Sequence, residues 1–200
     1  MNIYCIGRNY ANHAKELGNE VPETPVVFIK SFSALRSLAS AEMAFASEEF
    51  HFEAEIVLKI AKDVPMGSSP GLSCVNHVAL GLDITRRGVQ AKLKEKGLPW
   101  ALAKSFKGSS IVSDFVELPS NPLKELNFEF YLNGALKQKG NPEMMLFSFE
   151  TIINYLASYN DLKEGDLIYT GTPEGVDTIK KNDQFLLKLV NLDKEFSGVL

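Results

Sequence analysis

The stretch Phe50 to Ile60 reads FHFEAEIVLKI, and its two-residue period constrains the fold more than any other segment. Side chains at i and i+2 of a strand point the same way. Phe52, Ala54, Ile56 and Leu58 therefore share one face, and His51, Glu53, Glu55 and Val57 the other. An apolar face of that kind belongs on a sheet that covers a core. The opposite face carries two carboxylates, which repel unless water or a cation lies between them. A solvated outer face commonly carries Glu, and for this stretch alone that is the commoner explanation. A cation site is the other.

The chain has 200 residues, 45% of them hydrophobic and 23% charged, an ordinary globular composition. The length suits one domain and can bury a sizeable core without disulfides. Lys+Arg 21 against Asp+Glu 25 leaves a net charge of -4. With no basic tail or stripe, nucleic acid is not an expected partner. Cys5 and Cys74 have neither metal-type spacing nor a disulfide framework and are expected as small buried hydrophobes of a reducing compartment. The start MNIYCIGRNY lacks the basic-then-apolar order of a signal peptide. No apolar run approaches transmembrane length. A cytoplasmic protein with no membrane partner is the expectation.

Further strands are predicted at Ile3–Ile6, Val26–Ile29, His77–Ile84, Leu167–Thr170, Gln184–Val190 and Glu195–Val199. Leu126–Leu132, Asn133-Gly134 and Ala135–Lys139 form a hairpin with the signal of a type I′ turn. Helices are predicted from Asn9, as cap, to about Leu17, over Arg86–Lys96 closed by Gly97, and over Phe147–Tyr159 with Ser148 as N-cap. Strands outnumber helices and several are joined by short turns. The fold class is therefore α+β, mainly β, rather than alternating βαβ.

Several residues outside the Glu53–Glu55 pair could carry chemistry. Asp83 ends the apolar run VALGLD, where it suits either a ligand or a helix entry. Together, Glu53, Glu55 and Asp83 would supply three oxygen ligands and no sulfur, a set suited to Mg²⁺ or Mn²⁺ rather than zinc. His13 and Glu16 are three apart and share a helix face. They read as a solvated surface pair or as an imidazole oriented to take a proton from water. Lys104, in WALAKSF, either snorkels or faces an anion. Arg87 and Gln90, three apart, could hold a carboxylate, or Arg87 could be a surface charge. The turn YTGTPEGV offers backbone N–H groups and the Thr172 hydroxyl, as anion-binding turns and ordinary loops both do.

Taken in order, GRNYANHAKE, PVVFIK, FEAEIVLKI, GLDITRRGVQAKLKEKGLPWALAKSF and YTGTPEGV resemble the fumarylacetoacetate hydrolase family, nearest its acylpyruvase and oxaloacetate decarboxylase branch. The resemblance covers nearly the whole chain. It implies a mixed β-sandwich roll, with residues 1–200 a single catalytic domain, residues 9–24 a mobile lid helix and loop, and a homodimer as the assembly. It implies that Glu53, Glu55 and Asp83 bind Mg²⁺ or Mn²⁺. His13, Glu16 and Lys104 become catalytic residues, and Arg87, Gln90 and Thr172 substrate contacts. The implied reaction is metal-dependent cleavage of a C–C bond in a 2-oxo acid through a pyruvate enolate, as acylpyruvate hydrolysis or oxaloacetate decarboxylation. Two alternatives stand beside it: a 2-hydroxyhepta-2,4-diene-1,7-dioate isomerase or related hydratase, and an inactive binding protein on the same fold. Two positions depart from the family's usual pattern. Ser31 stands where proline often follows the Phe28-Ile29-Lys30 strand, which counts against Lys30 as a substrate contact, and His51-Phe52 precedes the E-x-E pair.

Overall fold

The computed structural model describes residues 1–11, 21–38 and 49–200. Its strands form three sheets. Seven strands of the largest run in the order Val26–Lys30, Ile3–Gly7, Leu167–Tyr169, Ala54–Ile60, Val75–Asp83, Ser110–Val112 and Leu35–Ser37. An eighth, Val116–Glu117, also pairs with Val75–Asp83. Ile3–Gly7 runs parallel to Leu167–Tyr169, and Leu35–Ser37 parallel to Ser110–Val112; the other pairings are antiparallel. The second sheet orders Ala135–Gly140, Phe128–Leu132, Gln184–Leu189 and Lys194–Val199, all antiparallel. Its first hairpin turns through Asn133 (φ 51°) and Gly134 (φ 79°), the left-handed pair that the Asn-Gly signal predicts. The third is a ribbon of Asp177–Ile179, Phe50–Phe52 and Thr85–Arg86. The mainly β, α+β expectation holds.

The core lies where these sheets meet. Phe52, Ile56, Leu58, Leu80, Phe128, Phe130 and Leu187 belong to one buried cluster, and the Phe52 and Phe130 rings sit 4.6 Å apart. The helix Phe149–Ala157 adds Ile152, Ile153 and Leu156 to it. Ser148 caps that helix as predicted, its hydroxyl accepting the Thr151 N–H at 3.2 Å. The opposite face of the large sheet is buried too, by Ile3, Cys5, Val57, Ala79, Leu167 and Tyr169. Each large apolar side chain so buried contributes about 1.5–3 kcal/mol before entropy is counted. Cys5 and Cys74 are buried free thiols. No helix among the described residues is long and apolar enough to cross a membrane.

The alternating segment departs from expectation. It is not one strand over Phe50–Ile60 but two, Phe50–Phe52 and Ala54–Ile60, broken at Glu53. The first piece belongs to the ribbon and the second to the large sheet. Its partner breaks at the same level: Val75–Asp83 stays in the large sheet, and Thr85–Arg86 crosses to the ribbon. One backbone bond spans the break, Asp83 N–H to Glu53 C=O at 2.8 Å. Because the Asp83 segment continues as a strand and the helix Arg87–Glu95 begins later, Asp83 is not a helix-entry residue.

Gly81 lies just below this seam. A Cβ there would stand 2.6 Å from Tyr169 Cε1 and 2.8 Å from both the Ile111 carbonyl and Val57 Cγ2. Tyr169 cannot yield easily, since its hydroxyl donates to Ile111 C=O at 2.9 Å and accepts from Ser110 at 2.8 Å. Gly81→Ala is expected to cost about 1–3 kcal/mol through overpacking. Urea unfolding of the two proteins measures it, and an unchanged midpoint would contradict the packing described.

Candidate metal centre and active site

At the seam, Glu53, Glu55 and Asp83 each offer a carboxylate oxygen, all within 4.8 Å of one another. The three residues are 7%, 2% and 0% exposed. The wet-face explanation for the two glutamates therefore falls, because there is no wet face: both sides of Ala54–Ile60 are covered.

Each carboxylate is held from behind. Glu53 Oε1 accepts from the Thr85 hydroxyl at 3.0 Å and from Arg87 Nη2 at 3.2 Å. Glu55 Oε2 accepts the Gly171 N–H at 2.7 Å. The TGTP turn thus does bind an anion, and that anion is Glu55. Gly171 has φ +103°, and a Cβ there would lie 2.6 Å from Asn9 Cβ. Asp83 is gripped by two lysines, Lys30 at Oδ1 (2.7 Å) and Lys104 at Oδ2 (2.8 Å).

Lys104 neither snorkels nor reaches outward. It is 2% exposed, and its Nζ donates to Glu53 Oε2 (2.8 Å), Asp83 Oδ2 (2.8 Å) and the Thr85 hydroxyl (2.7 Å). Burial alone would lower its pKa, but the Asp83 and Glu53 carboxylates outweigh burial and raise it. Arg87 and Gln90 come together as expected, Nη1 to Oε1 at 2.8 Å, with Arg87 turned inward onto Glu53. Thr172 is buried; its hydroxyl donates to Ala54 C=O at 2.9 Å and accepts from Gln138 Nε2 at 2.8 Å. His13 and Glu16 lie outside the described residues.

Two supporting residues escaped the sequence reading, and Lys30 entered it only as a substrate contact. Lys30, 1% exposed, also donates to Ser109 C=O at 2.5 Å. Gln138 Oε1 accepts the Ala54 N–H at 2.9 Å, satisfying the backbone where the strand breaks. Nothing in ALKQKG marks it. Asn9, read as a helix cap, donates to Thr170 C=O (2.8 Å) and Phe147 C=O (3.1 Å) and accepts Phe147 N–H (2.8 Å), pinning the turn that carries Gly171.

The model of the fumarylacetoacetate hydrolase C-terminal family matches residues 2–193. The chain belongs to that family. Mitochondrial oxaloacetate tautomerase of Bos taurus is 40% identical over 186 residues, covering 92% of this chain and 84% of that protein. Mitochondrial oxaloacetate decarboxylase of Dictyostelium discoideum is 37% identical over 201 residues, covering 96% and 90%. Among solved structures, fumarylpyruvate hydrolase from Pseudomonas aeruginosa, in complex with Mn²⁺ and pyruvate, superposes with a TM-score of 0.89 at 29% identity, covering 100% of this chain and 88% of that one. The family and its oxaloacetate branch agree with the resemblance read from the motifs.

The donor set of this family member fits a hard divalent cation: three buried carboxylates, no sulfur. Burial, then the Asp83 and Glu53 charges, push the Glu55 carboxyl well above its ordinary range. Its Oε2 is engaged by Gly171, and Oε1 has no hydrogen-bond partner among the described residues. A divalent cation removes that repulsion. An acid whose pKa is raised by folding makes the cation-free protein lose stability as pH climbs from the ordinary carboxyl value toward the raised one. Cation binding requires the ionised form, so it releases a proton and tightens over the same interval. The gain in melting temperature from Mg²⁺ or Mn²⁺ is therefore expected to grow with pH. A thermal-shift series across pH at fixed metal concentration reads it, and a gain that stays flat would remove Glu55 from the ligand set.

Proposed function

We propose that this chain is a divalent-cation-dependent enzyme that breaks a C–C bond of a 2-oxo acid by way of a pyruvate enolate, with oxaloacetate decarboxylation as its reaction. The observation that carries the reading is the convergence of the Glu53, Glu55 and Asp83 carboxylates beside the Lys104 ammonium. Glu53, Glu55 and Asp83 would hold Mg²⁺ or Mn²⁺, which would supply Lewis acidity to a bound 2-oxo acid.

The chain's own residues do the rest. In oxaloacetate the bond between C3 and the distal carboxylate breaks, CO₂ leaves, and the electron pair moves onto the 2-oxo oxygen. Lys104, whose three N–H groups go to Glu53, Asp83 and Thr85, stabilises that growing charge through its field as a buried cation. Arg87 and Gln90 orient the substrate from the rim. Thr172 fixes the turn and strand that present Glu55. For an acylpyruvate, His13, oriented by Glu16, takes the proton of an attacking water. Decarboxylation needs no such water and depends on His13 less.

A second reading is favoured by the tautomerase relative at 40% identity. Exchange between enol and keto oxaloacetate uses the same enolate and moves only a proton, with no loss of CO₂. Following pyruvate release and enol absorbance in one reaction separates the two.

A homodimer is part of the proposal. The strand Val26–Lys30 is a sheet edge, and with Pro99, Trp100 and Ala101 it lines a groove of about 450 Å³. Ile29 and Leu102 in the same region are 54% and 68% exposed. The oxaloacetate tautomerase and decarboxylase relatives are mitochondrial, and the cytoplasmic location expected from the sequence gains no support from them.

Glu53→Ala is expected to abolish both Mn²⁺ binding, read by calorimetry, and oxaloacetate turnover; turnover that persists without metal would sink the scheme. His13→Ala should slow acylpyruvate hydrolysis by about 10²-fold or more, the usual worth of a general base, and oxaloacetate decarboxylation less. Equal losses on the two substrates would deny His13 a water-activating role.

A further inference from the structure

We propose that His51 is a positioning residue for the cation site: it anchors Arg87, and Arg87 in turn fixes the Glu53 carboxylate. The inference rests on the reading of Glu53 as a ligand and goes beyond it, since His51 touches none of the three carboxylates.

His51 sits at the centre of the ribbon, paired with Thr178 on one side and Thr85 on the other. Its side chain is 17% exposed. Arg87 Nε lies 3.3 Å from His51 Nδ1. An arginine can only donate, so Nδ1 presents its lone pair and the ring proton sits on Nε2. That proton points to Glu49 Oε1 at 2.8 Å, and Glu49 Oε1 also accepts from the Thr178 hydroxyl at 3.3 Å. The two hydrogen bonds thus select one tautomer.

Three of the five N–H groups of the Arg87 guanidinium go to protein partners, one from each nitrogen. Nε goes to His51, Nη1 to Gln90 Oε1 at 2.8 Å, and Nη2 to Glu53 Oε1 at 3.2 Å. With the Thr85 hydroxyl at 3.0 Å, Arg87 holds Oε1 of Glu53 and leaves Oε2 on the Lys104 side of the carboxylate. Without its Nε anchor the guanidinium can rotate about its stem, and Glu53 loses one of the groups that set its plane. Support groups of this kind typically contribute 10–100-fold in metal affinity.

Asparagine and glutamine separate the two ends of the imidazole. His51→Asn keeps an acceptor near the position of Nδ1 and cannot reach Glu49. His51→Gln reaches the position of Nε2 and offers nothing to Arg87. Mn²⁺ titration by calorimetry on the full chain should find His51→Ala and His51→Gln weakened about tenfold or more, and His51→Asn within about threefold of wild type. Arg87→Ala should weaken Mn²⁺ at least as much, and adding His51→Ala to it should cost nothing further. Melting temperatures without metal check that each variant is folded. An affinity unchanged in His51→Ala, an Asn variant as weak as the Gln variant, or additive losses with Arg87→Ala would each overturn the proposal. If the wild-type chain binds no Mn²⁺, the cation-site reading falls first and this inference with it, a result distinct from normal binding that ignores His51.

Discussion

Three carboxylates crowded into a buried seam stay ionised only beside positive charge, and the rest of the site is arranged around that constraint. Asp83 lies between two ammonium groups, and Glu53 between an ammonium and a guanidinium. Among the described residues Glu55 has only the Gly171 N–H, and its carboxyl is driven upward. Removing one partner of such a pair costs about 3–5 kcal/mol, because a charge is left uncompensated in a dry environment. The elements that deliver these groups are tied to the same requirement. The short helix Ala101–Lys104 ends on one lysine, and the edge strand Val26–Lys30 ends on the other.

The seam exists because two neighbouring strands change sheets at one level. Where Phe50–Phe52 gives way to Ala54–Ile60, and Val75–Asp83 to Thr85–Arg86, the ladder is interrupted on both sides. Backbone groups freed there need new partners. Gln138 takes the Ala54 N–H, Thr172 takes the Ala54 C=O, and Asp83 N–H takes the Glu53 C=O. The same break points Glu53 and Asp83 into the gap, so the irregularity that costs ladder hydrogen bonds also builds the donor set. Gln138 and Thr172 contact one another at 2.8 Å, which locks the second sheet's hairpin to the turn that presents Glu55.

Much of this was legible in the residues, and the misses have physical reasons. The Asn-Gly hairpin, the helix capped by Ser148 and the helix closed by Gly97 are local features, encoded by turn and cap chemistry within a few residues. The grouping of Glu53, Glu55 and Asp83 came from strand periodicity joined to the order of motifs. Periodicity did not reveal the break at Glu53, because two strands that each alternate look like one longer strand when the chain is read in a line. Gln138 and Asn9 were missed as site supports, and Lys30 was read as a substrate contact rather than an Asp83 partner, because their partners lie 84, 161 and 53 positions away in Ala54, Thr170 and Asp83. The structure brings Lys104 to the carboxylates, and its inward orientation depends on groups delivered by other strands.

The formal charges of the site bear on which keto acid suits it. Among the described residues, Glu53, Glu55 and Asp83 carry three negative charges when ionised, and Lys30, Lys104 and Arg87 carry three positive ones. With Glu55 protonated, as its upward-driven carboxyl implies, the cation-free set carries one positive charge; with all three carboxylates ionised around a divalent cation it would carry two. A monocarboxylate would leave one excess charge in a water-poor pocket, where uncompensated charge is expensive. On the proposed reaction, oxaloacetate, with two carboxylates, would restore neutrality on binding. After loss of CO₂ the enolate oxygen and the remaining carboxylate would again present two negative charges to the same groups. The balance would then be kept from bound substrate to enolate, and the electrostatic work of bond breaking would fall on moving charge within the site rather than on creating it.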